Sequence, residues 1–132
     1  MKVVINIDVP ALVPAIDFYC RALNVVHTRT LDSDVAELTG GATTIYLLQK
    51  ATGSPAVADS PIARRYERHW TPVHFDVVVS DLDDAVTRAL AAGALLEAGP
   101  IEWRGSRCMT FADPFGHGFC LLQFADGKSY RD

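Results

Sequence analysis

Hydrophobic and polar positions alternate in two stretches of the chain. In residues 3–9 (VVINIDV), Val3, Ile5, Ile7 and Val9 fall on one side and Val4, Asn6 and Asp8 on the other. In residues 73–79 (VHFDVVV), Val73, Phe75, Val77 and Val79 share one side and His74, Asp76 and Val78 the other. A period of two is the signature of a strand with one buried face. Each run leads into a helical stripe of apolar positions spaced i, i+3, i+4, i+7, i+8. The first stripe is Leu12, Ala15, Ile16, Tyr19, Cys20 and Leu23; the second is Leu82, Ala85, Val86, Ala89 and Leu90, closed by Gly93. An offset of 70 residues carries one set onto the other, so the chain reads as a repeat.

Three strand-like runs follow each helix. In the first half they are Val25–Leu31, Val35–Thr39 and Thr43–Lys50; in the second, Leu95–Glu102, Arg107–Ala112 and Gly118–Phe124. The last runs echo each other as IYLLQK and FCLLQF at an offset of 74, so the second half carries extra loop residues. The pattern predicts two β-α-β-β-β modules, at about residues 1–50 and 72–125, with a linker at 51–71 and a tail at 126–132. Each half alone would have a marginal core, so a single domain over 1–132 is expected. Within the linker, residues 61–68 have the composition for a turn or two of helix. The continuous apolar strand faces belong under the helices. Asn6, Asp8, His74 and Asp76 then point to the helix-free side, where a ligand would sit.

Composition narrows the partners. The chain has 132 residues, 49% hydrophobic and 21% charged, with a formal net charge of −4. That balance fits a folded α+β protein and argues against nucleic acid or an anionic membrane as a partner. No apolar run approaches the length of about 18 residues that a membrane span needs. Three cysteines, Cys20, Cys108 and Cys120, lack metal-type spacing and predict free thiols in the cytoplasm. Cys108 and Cys120 are separated by a loop that breaks the strand count, and they are not paired on sequence grounds. The cluster Arg64-Arg65-Tyr66-Glu67-Arg68 reads as a solvated linker face.

The paired modules resemble the vicinal oxygen chelate superfamily of glyoxalases, bleomycin-resistance proteins and extradiol dioxygenases. The resemblance rests further on Phe18-Tyr19, on Ala91-Ala92-Gly93-Ala94, on Asp113-Pro114-Phe115-Gly116-His117 and on Trp103-Arg104-Gly105-Ser106-Arg107. It implies a U-shaped, cleft-bearing eight-stranded fold, often within a homodimer. It also implies four metal-facing positions, which here are Val4, Tyr46, His74 and Cys120. Val4 has no donor atom, a neutral phenol is a poor ligand, and sulfur does not suit a hard octahedral site. The expectation is therefore a metal-independent binding protein with no cofactor. It would take a small organic ligand between Asn6, Asp8, Tyr46, Leu48, His74, Asp76, Arg107, Cys120 and Leu122, with Arg107 holding an anionic group. The alternative is a metal-dependent lyase, isomerase or dioxygenase with an atypical site, in which Asp76 supplies an oxygen. A third reading is a structural or partner-binding domain whose cleft is filled by Tyr46, Leu48, Leu122 and Phe124.

Overall fold

A computed structural model describes all 132 residues. The chain divides into two compact units, Met1–Glu67 and Arg68–Asp132.

The first unit contains β1 (Ile5–Val9), α1 (Leu12–Leu23), β2 (Val26–Leu31), β3 (Val35–Thr39) and β4 (Ile45–Gln49). Its sheet runs β1-β4-β3-β2, with β1 parallel to β4 and the other pairs antiparallel. The second unit repeats the plan with β5 (Asp76–Val78), α2 (Leu82–Ala92), β6 (Leu95–Trp103), β7 (Ser106–Ala112) and β8 (Gly118–Phe124), in the order β5-β8-β7-β6. Two four-stranded mixed sheets and two helices make up the paired modules expected of a glyoxalase-like fold.

The helices form where the apolar stripe repeats, and each stops at a left-handed residue. Asn24 closes α1 at φ 55° and Gly93 closes α2 at φ 112°. At such angles a side chain with a Cβ is strained, and glycine and asparagine tolerate the strain best. The starts are fixed from the sheets. Gln49 of β4 accepts from the Leu12 amide through Oε1 at 2.9 Å, and Gln123 of β8 does the same for Leu82 at 2.7 Å. Ala11 has no side chain able to cap α1, so Gln49 satisfies an amide left open there. Asp81 caps α2 by accepting from the Asp84 amide.

In the first unit Ile7, Val9, Leu38, Ile45 and Leu47 are buried together with Leu12, Ala15, Phe18 and Tyr19. In the second, Phe111, Phe119 and Leu121 are buried along with Leu82, Ala85 and Ala89. Burying each of these larger apolar side chains stabilises the fold by roughly 1.5–3 kcal/mol. The parity read from the sequence therefore holds in β1, where the buried Ile7 and Val9 alternate with the exposed Asn6 and half-buried Asp8.

Three local expectations fail. The fifth strand is three residues long rather than seven. Pro72 has no N–H to offer a ladder, and only Phe75 O, accepting from the Cys120 amide at 3.2 Å, extends the pairing upstream. Residues 61–68 form no helix; Pro55 and Ala63 make an isolated antiparallel bridge instead. Nor is the basic cluster merely solvated. Arg64 reaches back to donate to Asp8 Oδ2 at 2.7 Å, and its other nitrogens donate to Ser54 Oγ and to the carbonyls of Pro55 and Ala56. The Tyr66 hydroxyl donates to Lys50 O at 2.6 Å.

Candidate functional site

In the second unit the strand register decides which side chains meet. Asp76 of β5 stands opposite Cys120 of β8, and Thr110 of β7 stands on the other side of Cys120. These three lie on the sheet face away from α2, because Val77, Leu121 and Phe119 occupy the alternate positions. His74 precedes β5 by two residues and keeps the parity of Asp76. One donor atom each from His74, Asp76 and Cys120 lies within 4.8 Å of the others. His74 Nε2 is 3.5 Å from Asp76 Oδ1, with both side chains about one-third exposed, while Cys120 is buried. The Thr110 hydroxyl is 3.5 Å from Cys120 Sγ.

The aromatic residue before β5 holds this cluster from one side. The Trp70 ring lies 4.8 Å from the His74 ring at a tilt of 43°, and the Arg68 guanidinium sits over it at 5.2 Å. Arg68 is itself fixed by a two-point ion pair with Glu97, one bond of which measures 2.6 Å. Trp70 can lie flat at this end because position 118 is glycine: a Cβ there would collide with the six-membered part of its ring.

Burial raises the pKa of both nearby thiols. Cys120 is pushed up by loss of water, offset in part by the Thr110 hydroxyl, and Cys108 is pushed up to about 12. Neither is a ready nucleophile, since the reactive form is the thiolate. The sequence did not pair these cysteines, and both are free thiols. The β7–β8 register sets Cys108 opposite Leu122 and Thr110 opposite Cys120, so both thiols share one face and sit diagonally on neighbouring strands.

The first unit builds a different face. Asn6 and Asp8 of β1 are registered with Tyr46 and Leu48 of β4, and Glu37 of β3 with Tyr46. The Tyr46 hydroxyl donates to Glu37 Oε2 at 2.8 Å, and Arg29 of β2 grips both oxygens of the same carboxylate at 3.1 and 3.2 Å. Arg29 and then Tyr46 hold the Glu37 carboxyl below the usual range, and Glu37 in turn raises the Tyr46 phenol. Glu37 and Arg29 were missed from the sequence, although alternation within Val35–Thr39 already puts Glu37 on the face of Tyr46. Val4 lies outside β1 with an exposed aliphatic side chain and offers no donor.

Arg107 is not grouped with the other predicted residues. It alternates with Cys108 and so faces the α2 side, where it lies 3.6 Å from Asp83 and 3.9 Å from Glu102. There it helps line a depression of about 420 Å³ with Trp103, Arg104 and Arg131. Leu122 is buried on the face of Cys120. His117 belongs to the turn between β7 and β8, where the buried Asp113 carboxylate accepts from the amides of Phe115 and His117 at 2.8 Å each. That double acceptance explains the Asp-Pro-Phe-Gly motif as a turn lock. His27 is exposed on β2, bonded to the Thr30 hydroxyl.

Residues 4–122 match the family model described as a glyoxalase-like domain. The chain belongs to that family. An uncharacterized protein of Mycobacterium bovis is 30% identical over 131 residues, covering 90% of this chain and 86% of its own length. Among solved structures, the fosfomycin resistance protein FosX of Listeria monocytogenes superposes with a TM-score of 0.70 at 19% identity, covering 98% of both chains. Lactoylglutathione lyase of Agrobacterium tumefaciens gives 0.64 at 20%, covering 93% of this chain and 94% of its own. Identities this low carry the fold and not the activity. No helix is long and apolar enough to cross a membrane.

The expectation of a cofactor-free site now meets a contrary observation. One nitrogen, one oxygen and one sulfur donor converge in the second unit, and they are ligand types that zinc accepts.

Proposed function

We propose that this glyoxalase-like protein is metal-dependent and acts on a small organic molecule, as a lyase, isomerase or dioxygenase with an atypical ligand set. The observation that carries the reading is the convergence of His74, Asp76 and Cys120 within 4.8 Å. Among the superposing proteins are a fosfomycin resistance protein and a lactoylglutathione lyase, which supports a reading of small-molecule chemistry.

His74, Asp76 and Cys120 would hold the ion. When bound, it would polarise a substrate oxygen as a Lewis acid. The chain's own residues have separate tasks. Asp76 Oδ1 stands 3.5 Å from His74 Nε2, so the two offer their donor atoms to one point. Trp70 packs against that ring. In the second unit Leu122 shares the sheet face of the three donors and is a proposed ligand-facing residue; in the first, Asn6, Asp8, Tyr46 and Leu48 share the helix-free face. Three free cysteines suit a reducing compartment, which supports a cytoplasmic location.

Protein purified without chelator and supplied with zinc should retain close to one equivalent per chain after desalting. His74→Ala should drop it to background, and Tyr46→Phe should leave it intact. Wild-type protein that retains no more metal than His74→Ala overturns the reading and returns the site to metal-free ligand binding.

A homodimer belongs to the same proposal. Its support is the edge strand β6, which exposes Leu95, Leu96, Ile101 and Trp103. Light scattering should give twice the chain mass of 14.4 kDa; the single-chain mass at micromolar concentration overturns it.

A further inference from the structure

The far end of the β6–β7 hairpin has no part in the reading above. Its turn is made by Arg104 at φ 45° and Gly105 at φ 73°. The C-terminal tail crosses back over that turn. The Arg131 amide donates to Arg104 O at 2.8 Å, and Arg104 Nη1 donates to Arg131 O at 3.2 Å. Tyr130 meets Trp103 and Phe124 edge-on, at 5.0 and 4.9 Å between ring centres. Position 105 has to be glycine for the tail to lie there: a Cβ would stand 2.7 Å from both Cδ and Nε of Arg131. The turn, β7 and the tail thus bring Arg104, Arg107 and Arg131 to one depression of about 420 Å³, which Glu102 and Trp103 also line. That volume lies in the range of small-ligand sites.

The guanidinia here are under-compensated. Elsewhere Arg29, Arg64 and Arg68 each donate to a carboxylate at 3.1 Å or less. Arg104 instead spends one nitrogen on a carbonyl and lies over the Trp103 ring at 5.3 Å. Of the three, only Arg107 is ion-paired, at 3.6 and 3.9 Å to Asp83 and Glu102, whose side chains are 85% and 75% exposed. Asp126 of the tail spends Oδ1 on the amides of Lys128 and Ser129. Three guanidinia therefore face one depression with a single carboxylate, Glu102, in its lining.

We propose that this depression is an anion site for the phosphate group of a small phosphate monoester, held by the forks of Arg104, Arg107 and Arg131. Guanidinium forks match phosphate oxygens two at a time, and each such bond is charge-assisted. The excess positive charge suits a dianion, which a phosphate monoester is above its second pKa of about 6. A carboxylate carries one charge on two coplanar oxygens and leaves part of the three forks unmet. The exposed Trp103 offers apolar surface to the ester's organic part. The site is separate from the donor cluster of His74, Asp76 and Cys120. Ser106, in its lining, stands four residues along β7 from Thr110, the register partner of Cys120, or roughly 13 Å at the rise of a strand. It does not depend on a metal.

Phenyl phosphate is the probe, titrated by calorimetry into the full-length, chelator-treated protein above pH 7, with benzoate as the carboxylate control. The wild type should bind phenyl phosphate saturably and benzoate more weakly. Arg104→Gln and Arg131→Gln should each weaken phenyl phosphate about tenfold or more, the loss expected for one charge-assisted hydrogen bond. Arg21→Gln on α1 should leave it unchanged, and so should His74→Ala. Benzoate bound as tightly as phenyl phosphate overturns the assignment to phosphate, and no saturable binding overturns the site. Affinity lost in His74→Ala but kept in both arginine variants assigns the probe to the other centre and overturns the proposal, without touching the metal-dependent reading. Nuclear magnetic resonance of the wild type needs no variant to fold. Phenyl phosphate should move the arginine Nε–H signals of residues 104, 107 and 131; shifts confined to other residues overturn the proposal.

Discussion

The helix-free faces of the two units are built on the same lattice of strand positions. Where the first carries Val4, Asn6, Tyr46 and Glu37, the second carries His74, Asp76, Cys120 and Thr110. In the first, the carboxylate of Glu37 is already saturated by a two-point guanidinium and a phenol. Asp8, on β1 of the same sheet, is paired with Arg64 from the linker. In the second, a carboxylate, an imidazole and a thiol converge within 4.8 Å with no arginine among them. The difference separates two uses of polar groups on an open sheet face. A carboxylate gripped by a guanidinium is structural and has little left to give an ion, because its charge is already compensated. Acidic and soft donors gathered without a cation become stable together when a metal supplies the missing positive charge.

The largest effect that tests this contrast is expected at position 118. Its counterpart in the first unit is Thr44, which carries a side chain, whereas Gly118 lies under Trp70. Gly118→Ala should push the indole off its bed and cost about 1–3 kcal/mol, the usual range for overpacking. Thermal unfolding should show the loss, and the environment of Trp70 should change in its fluorescence. Thr44→Ala, at the matching site, should stay close to wild type. Equal effects at the two positions would show that the ring is not seated as described.

A smaller effect is expected from the first unit's ion pair, and its sign follows from the pKa direction. Glu37 titrates below its ordinary value of 4.5 in the folded protein, with Arg29 the largest cause. Its stabilising contribution is therefore present above that value and lost as pH falls through the lowered folded pKa. Arg29→Ala should lower the melting temperature slightly at neutral pH, and the gap to wild type should close on acidification. A gap that is constant with pH would mean that Arg29 acts through packing alone.

Much of this organisation was legible in the sequence, for physical reasons. A helix stripe and a strand alternation depend on near neighbours, so the offset of 70 from Leu12 to Leu82 and the outward parity of His74 and Asp76 could be read directly. The common face of Cys108 and Cys120 could not. Whether the two fall on one face depends on how many residues the turn at Asp113–His117 absorbs, and that turn is set by the Asp113 carboxylate rather than by any period. The partners of Glu37 and Asp8 were hidden similarly. Arg29 reaches Glu37 across a strand pair whose register shifts between His27 and Arg29, and Arg64 arrives from a linker with no periodicity at all. Arg107 was read from a motif without counting the strand, which turns it toward α2.

Gln49 and Gln123 have a consequence for how such a chain can change over evolutionary time. Each ties its own module's helix to its own module's last strand through the same atom. After a duplication, that tie lets either copy keep its architecture while the opposite sheet face drifts, because the amide lies on the side that drift does not touch. The same separation offers protein engineers a grafting surface. Positions 74, 76, 108, 110 and 120 can be rewritten for another ion or another ligand without disturbing the joint between helix and sheet.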